Sequence, residues 1–189
     1  ENSGLCVYCK ADDVDALPLP TPLEHDPEQE SEELSLEDKA KAELALRFLT
    51  RKRLLPFVER FNPDYQAGWV HKDICNRLEQ FSKDVSEKKS PRLMLFMPPR
   101  HGKSTLASVA FPAWHLGRNP EHEFISCSYS GSLAMAFSRK VRGLLREEGF
   151  KSAFKTRLDP QSQSAEAWLT TSGGGFVAAG VGGGITGKG

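Results

Sequence analysis

The chain has no initiator methionine and no basic-plus-apolar leader at its start. Its apolar runs fall well short of the roughly 20 residues that a membrane span needs. Cysteine is scarce, with four in 189 residues. Cys6 and Cys9 form a C-x-x-C pair, half of a zinc site, but no second pair and no paired histidines follow to complete four ligands. The pair reads as a chance spacing in a polar tail, and Cys75 and Cys127, in apolar surroundings, as small core residues. These absences point to a soluble, intracellular protein without a membrane anchor. The non-Met start and the closing run of glycines make the chain read as a fragment cut at both ends.

Net charge is also lacking, at zero overall, but the balance is uneven along the chain. Residues 1–38 hold 12 Asp/Glu and one Lys, whereas residues 39–189 hold 24 Lys/Arg and 13 Asp/Glu. An acidic, Pro-rich leader over 1–34 is expected to be disordered, because it has too little apolar surface to offset the entropy of ordering. The remainder, 35–189, is expected to form one basic domain, and a basic domain suits a polyanionic partner. Hydrophobic residues make up 39% of the chain, enough for one domain with a real core.

Ser35-Leu-Glu-Asp38 predicts a helix start, with Ser35 as N-cap and acids in the first turn. Leu44, Leu46, Phe48 and Leu49 continue the helical pattern until Pro56 ends or kinks it. A second helix is expected over 68–82, with Trp69, Ile74, Leu78 and Phe81 near one face. Residues 93–97, Leu-Met-Leu-Phe-Met, form a continuous apolar run, as a strand buried on both faces requires. A helix should begin near Gly102 and be kinked or ended by Pro112. Residues 124–128 predict another strand and 132–148 a further helix, with Leu133, Ala136, Phe137, Val141, Leu144 and Leu145 as its apolar set. Trp168-Leu-Thr-Thr and Phe176-Val-Ala-Ala flank Ser172-Gly-Gly-Gly175 as a hairpin. The alternation predicts an α/β domain with a largely parallel sheet.

Two stretches compete as a phosphate loop. MPPRHGKST, residues 97–105, has Met97 where the G-x-x-x-x-G-K-[ST] pattern has its first glycine. GGGITGKG, residues 182–189, has the glycines but Gly189 in place of the hydroxyl residue. Context favours the first, with an expected strand before it and a helix after it. Lys103 is placed to reach phosphates and Ser104 to ligate Mg²⁺, as ATP binding needs. Pro98 and Pro99 carry no N–H, so the amide cradle falls to Arg100, His101, Gly102, Lys103, Ser104 and Thr105. The second stretch reads as a flexible loop around Lys188.

A P-loop ATPase also needs an acid at the end of a buried strand to hold Mg²⁺, and usually a second acid to orient water. The acids after Lys103 are Glu121, Glu123, Glu147, Glu148, Asp159 and Glu166. None ends a run of four apolar residues, so the acid-bearing strand is expected to lie outside this chain.

MPPRHGKS, FPAWHLGRNP, ISCSYSGSLAMAFSRKVR, WLTTSGGGFVAAGVGGGITGKG and the upstream GWVHKDICNRLEQF together resemble the ATPase domain of tailed-phage or prophage terminase large subunits. The likeness runs from about residue 44 to the end. It implies a RecA/ASCE-like P-loop NTPase fold, truncated before the acid-bearing strand and a nuclease domain. The implied function is ATP-driven translocation of double-stranded DNA into a procapsid, in the cytoplasm of a bacterial host. The implied partners are a portal protein, a small terminase subunit and further copies of the chain on the portal. Lys103 and Ser104 become the phosphate and Mg²⁺ contacts, and Arg100 the loop arginine that stabilises charge during hydrolysis. Gln66 or His71 would contact adenine.

Arg139, Arg142 and Arg146 fall on one side of the expected helix, with Lys140 nearby. Such a face can track a DNA backbone, and a solvated helix face explains the same pattern. Two other readings stand beside the motor: another P-loop ATPase such as a helicase, and a non-catalytic prophage relic acting as an interaction module.

Overall fold

The computed structural model describes residues 35–181. The acidic leader with Cys6 and Cys9, and the GGGITGKG stretch with Lys188, lie outside the described residues. Helix α1 (Leu36–Lys52) begins as expected, with Ser35 Oγ accepting the Asp38 N–H at 3.2 Å. It ends at Arg53, before Pro56, and α2 (Leu54–Phe61) restarts at once. Pro56 therefore sits in the first turn of α2, where its missing N–H costs nothing. Glu79 of α3 (Trp69–Ser86) caps this start. Its carboxylate accepts the Leu54 N–H at 2.7 Å and the Arg53 Nε–H at 2.8 Å.

Residues 103–118 are helical, with a π-helical stretch (Thr105–Ala110) leading into α4 (Phe111–Arg118). Pro112 neither ends nor breaks this helix. It has no N–H to give, and the wide turn just before it, with Phe111 N–H on the Leu106 carbonyl, makes room for its ring. Strand β1 (Glu123–Ser128) is followed by α5 (Gly131–Arg146), capped by Ser130, and by the short α6 (Glu148–Ala153). Three strands then complete the described chain: β2 (Leu158–Gln163), β3 (Ala167–Thr170) and β4 (Gly175–Gly180).

The sheet has the order β1-β4-β3-β2. Among the described strands only β1 and β4 run parallel; β3 pairs antiparallel with both β4 and β2. The domain is thus α/β with a mixed sheet, not the largely parallel one expected. The β3–β4 hairpin is where the sequence placed it, but β2, with Pro160 inside it, carries no strand pattern and is held as an edge. Trp168, Phe176 and Phe124 form a ladder across β3, β4 and β1, stacked at centroid distances of 5.4 and 5.5 Å. α5 packs over this sheet through Ala134, Val141 and Leu145, and Ser138 Oγ accepts the Trp168 Nε1–H at 3.0 Å. A second aromatic cluster, Phe57, Phe61, Phe150 and Phe154, joins α2 to α6 and the residue after it.

Several side chains depart from expectation. Residues 93–97 are extended but pair with no strand among the described residues. Leu93, Leu95 and Met97 pack on the core, while Met94 and Phe96 are 78% and 85% exposed, so the segment is buried on one face only. β1 is an edge strand with alternating burial, which leaves Cys127 exposed rather than in the core; Cys75 is buried. Trp69 and Leu133 are also exposed, as are Leu44, Leu46, Phe48 and Leu49 on α1.

Candidate nucleotide-binding site

The extended segment 93–97 delivers the chain to a tight turn, and the turn opens the helix that begins at Lys103. Two residues of the turn adopt left-handed backbone, Arg100 at φ 64° and Gly102 at φ 76°. A Cβ at Gly102 would also crowd the Tyr65 hydroxyl, at 3.2 Å, on top of the positive φ. His101 Nδ1–H donates to the Pro99 carbonyl at 2.7 Å, which closes the turn on itself. The Leu106 N–H reaches back to the Gly102 carbonyl at 3.0 Å, and the helix proceeds from there.

The loop encloses an open cavity of about 510 Å³, lined by Met97, Pro98, Pro99 and Arg100 on one side and Gly102 to Thr105 on the other. Lys103 is half-buried, and its Nζ donates to the Met97 carbonyl at 3.5 Å, so the ammonium folds over the mouth of the loop. Ser104 and Thr105 are exposed. The prolines offer no amide, so donors for an anion come from Arg100 and the helix start, where the first N–H groups have no intrahelical acceptor. Cationic Lys103 and Arg100, these amides and two hydroxyls are what a polyphosphate demands. For Mg²⁺ the lining supplies the Ser104 and Thr105 hydroxyls and, among the described residues, no carboxylate. Among the described residues no cluster of three His, Cys, Asp or Glu side chains is arranged to hold a metal.

A second cavity, of about 420 Å³, runs beside the first turns of the helix and shares Thr105 with the loop. Phe57, Phe61, Asn62, Lys140 and Glu147 are among its walls, and burial pushes the Glu147 carboxyl above its ordinary value.

The other predicted residues fall in different places. Gln66 is exposed in the connection between α2 and α3. His71, in the first turn of α3, has both ring nitrogens engaged with backbone, Nδ1 with the Gly68 N–H at 3.0 Å and Nε2 with the His101 carbonyl at 3.1 Å. It therefore backs the loop rather than offering its edge to a base. Arg139 and Arg146 are exposed on α5; Arg142 is half-buried and donates to the Ser164 carbonyl at 2.9 Å. Burial lowers the Arg142 pKa, and the charges of Arg146 and Arg139 lower it further, so the three guanidinium groups share one face closely enough to repel.

Tyr65 is a wall of the site that the sequence did not flag. Its hydroxyl is buried beside Gly102 with no hydrogen-bond partner among the described residues, and its ring meets His71 edge-on at 5.5 Å. The only sequence signal was a Tyr six positions ahead of a His, which no motif singles out.

No family model matches the chain, and no solved structure matches it. Over 62 residues the chain is 39% identical to replication factor C subunit 5 from Mus musculus, a stretch covering 32% of this chain and 17% of that protein. The matched stretch thus spans about a sixth of that relative's length.

Proposed function

We propose that this chain is a P-loop ATPase module whose nucleotide site is the loop 97–105, and that it serves as the motor of a terminase large subunit. The observation that carries the first part is Lys103 and Ser104 at the start of a helix, entered from an apolar extended segment through two left-handed residues. Lys103 draws the β- and γ-phosphates, the backbone amides of 100–105 hold their oxygens, and Ser104 provides one Mg²⁺ ligand. With Mg²⁺ held in part by the Ser104 hydroxyl, the metal would neutralise phosphate charge. Arg100 stands in the loop as a permanent cation for charge that develops on the transferred group. The terminase assignment rests on the order of the sequence motifs around this loop. Double-stranded DNA, a portal protein, a small terminase subunit and neighbouring copies of the chain are the partners it proposes, in a bacterial cytoplasm.

The short likeness to a replication factor C subunit favours a second reading, in which the same loop belongs to a P-loop ATPase of replication rather than of packaging. Both readings require nucleotide at Lys103. Titration with a fluorescent ATP analogue and Mg²⁺ tests this: Lys103→Ala abolishes binding and Lys188→Ala leaves it largely intact. Equal losses in the two variants would move the site to the glycine-rich stretch or remove it.

A further inference from the structure

We infer that His71 is a positioning residue for the phosphate loop, holding the His101 carbonyl back against α3 so that the Gly102 amide faces the bound phosphates. The inference rests on the nucleotide reading of loop 97–105 and adds a residue from a different element to it.

The tautomer of His71 follows from its partners. The Gly68 N–H can only donate, so Nδ1, 3.0 Å away, is an unprotonated acceptor. The His101 carbonyl can only accept, so Nε2, 3.1 Å away, carries the proton. One neutral imidazole thus caps the start of α3 through one nitrogen and grips the loop through the other. The grip has a consequence across a single peptide. In a trans peptide the N–H points opposite to the preceding C=O, and the described chain has no cis bond. With the His101 carbonyl turned toward His71, the Gly102 N–H is turned away from α3. Gly102 lines the phosphate cavity and His71 does not, so the amide is set on the cavity side.

Two neighbours keep the imidazole in place. The Tyr65 ring packs edge-on against it, at an interplanar angle of 70°. Gly102 lies directly against it, at a distance where even a Cβ would be in van der Waals contact with Nε2, 3.6 Å away. With Pro98 and Pro99 unable to donate, the loop has few amides to lose, and a free 101–102 peptide would sample the flipped orientation that presents a carbonyl to the phosphates.

Two substitutions separate the roles of the nitrogens. Asn places an oxygen where Nδ1 stands and cannot reach the loop, so His71→Asn keeps the cap on α3 and drops the grip. Gln places an amide where Nε2 stands, so His71→Gln keeps the grip and drops the cap. Titration of the 1–189 chain with a fluorescent ATP analogue and Mg²⁺ is expected to show His71→Asn weakened about three- to tenfold, the range a single lost hydrogen bond spans. His71→Gln should stay within about twofold of the parent, since that bond is retained. Thermal midpoints should move the other way, with the Gln variant lower. Amide exchange without nucleotide supplies an independent reading, with faster exchange over 100–104 in the Asn variant and parental exchange in the Gln variant. Affinity that follows the thermal midpoint, or loop exchange equal in both variants, overturns the inference. If the parent chain shows no Lys103-dependent binding, the nucleotide reading falls, and the exchange measurement alone still decides whether His71 holds the loop.

Discussion

Arg100 and Gly102, with His101 between them, both occupy left-handed backbone, at φ 64° and 76°. For glycine that conformation is free of cost, whereas for arginine it stores roughly 1 kcal/mol. Arg100→Gly should therefore leave the thermal midpoint unchanged or raised, while nucleotide binds more weakly for loss of the guanidinium. Gly102→Ala should lower the midpoint, because its Cβ meets the Tyr65 hydroxyl at 3.2 Å in a conformation alanine resists. A loss of about 1 kcal/mol and a clear fall in ATP-analogue affinity are expected. Thermal melts and titrations on the two variants check this. A destabilised Arg100→Gly would mean the guanidinium holds the loop together, contrary to the charge-stabilising role proposed for it.

Acid sensitivity is expected at the far end of the same helix. His115 of α4 is buried, and its Nδ1 meets Ser82 Oγ of α3 at 2.8 Å while its Nε2 meets His122 Nδ1 at 3.1 Å. Burial, with repulsion from His122 and Arg118 added, pushes its pKa from 6.5 down to about 4. The unfolded chain therefore binds a proton that the folded chain refuses. Stability from this group is complete above pH 6.5 and is lost as pH falls toward 4. Thermal midpoints should fall from pH 6.5 to about 5, a window above most carboxylate titration. The fall should be shallower in His115→Gln. Identical slopes would place the acid sensitivity elsewhere.

Much of the scaffold was legible because local chemistry decided it. Ser35 with Asp38 wrote the start of α1, the apolar 124–128 run wrote β1, and Ser172-Gly-Gly-Gly175 wrote the turn between β3 and β4. The turn that opens a helix at Lys103 was legible from Gly102-Lys103-Ser104 and its flanks. What failed depended on partners distant in sequence. A run of five apolar residues over 93–97 has no period, so nothing told its inner face from its outer one. Cys127 lies outward because β1 buries one face only, so alternate residues face out, and an apolar run does not show which face that is. β2 contains Asp159 and Pro160 and pairs only because β3 lies beside it. His71 was legible as a candidate ligand of the nucleotide but not as a support of the loop, since its partner His101 lies 30 residues away.

The arginine face of α5 predicts a salt-dependent, sequence-independent affinity for duplex DNA. Removing Arg139 and Arg146 together should weaken binding across unrelated sequences and lower the slope of log affinity against log salt by about two. Fluorescence anisotropy at several salt concentrations measures both. An unchanged slope would make the face a solvated surface only.

Turnover should be slow in the 1–189 chain even with nucleotide bound, because among the described residues no carboxylate lines the loop cavity. Phosphoryl transfer draws nearly all its acceleration from positioning and electrostatics, and the acid that orients water is part of both. A phosphate-release assay tests this. Rapid release would require a carboxylate from Glu121, Glu123, Glu147, Glu148, Asp159 or Glu166, and Glu147, which lines the adjoining cavity together with Thr105, would be the first to replace with Gln.

The amide of Gly102 gives the most direct test of the nucleotide site. In a chain labelled with ¹⁵N-glycine and titrated with Mg·ADP, the Gly102 resonance, assigned by its absence in Gly102→Ala, should shift far more than the glycines of 182–189. The shift should vanish in Lys103→Ala. Movement of the 182–189 glycines with Gly102 stationary would contradict the assignment of loop 97–105 as the phosphate site.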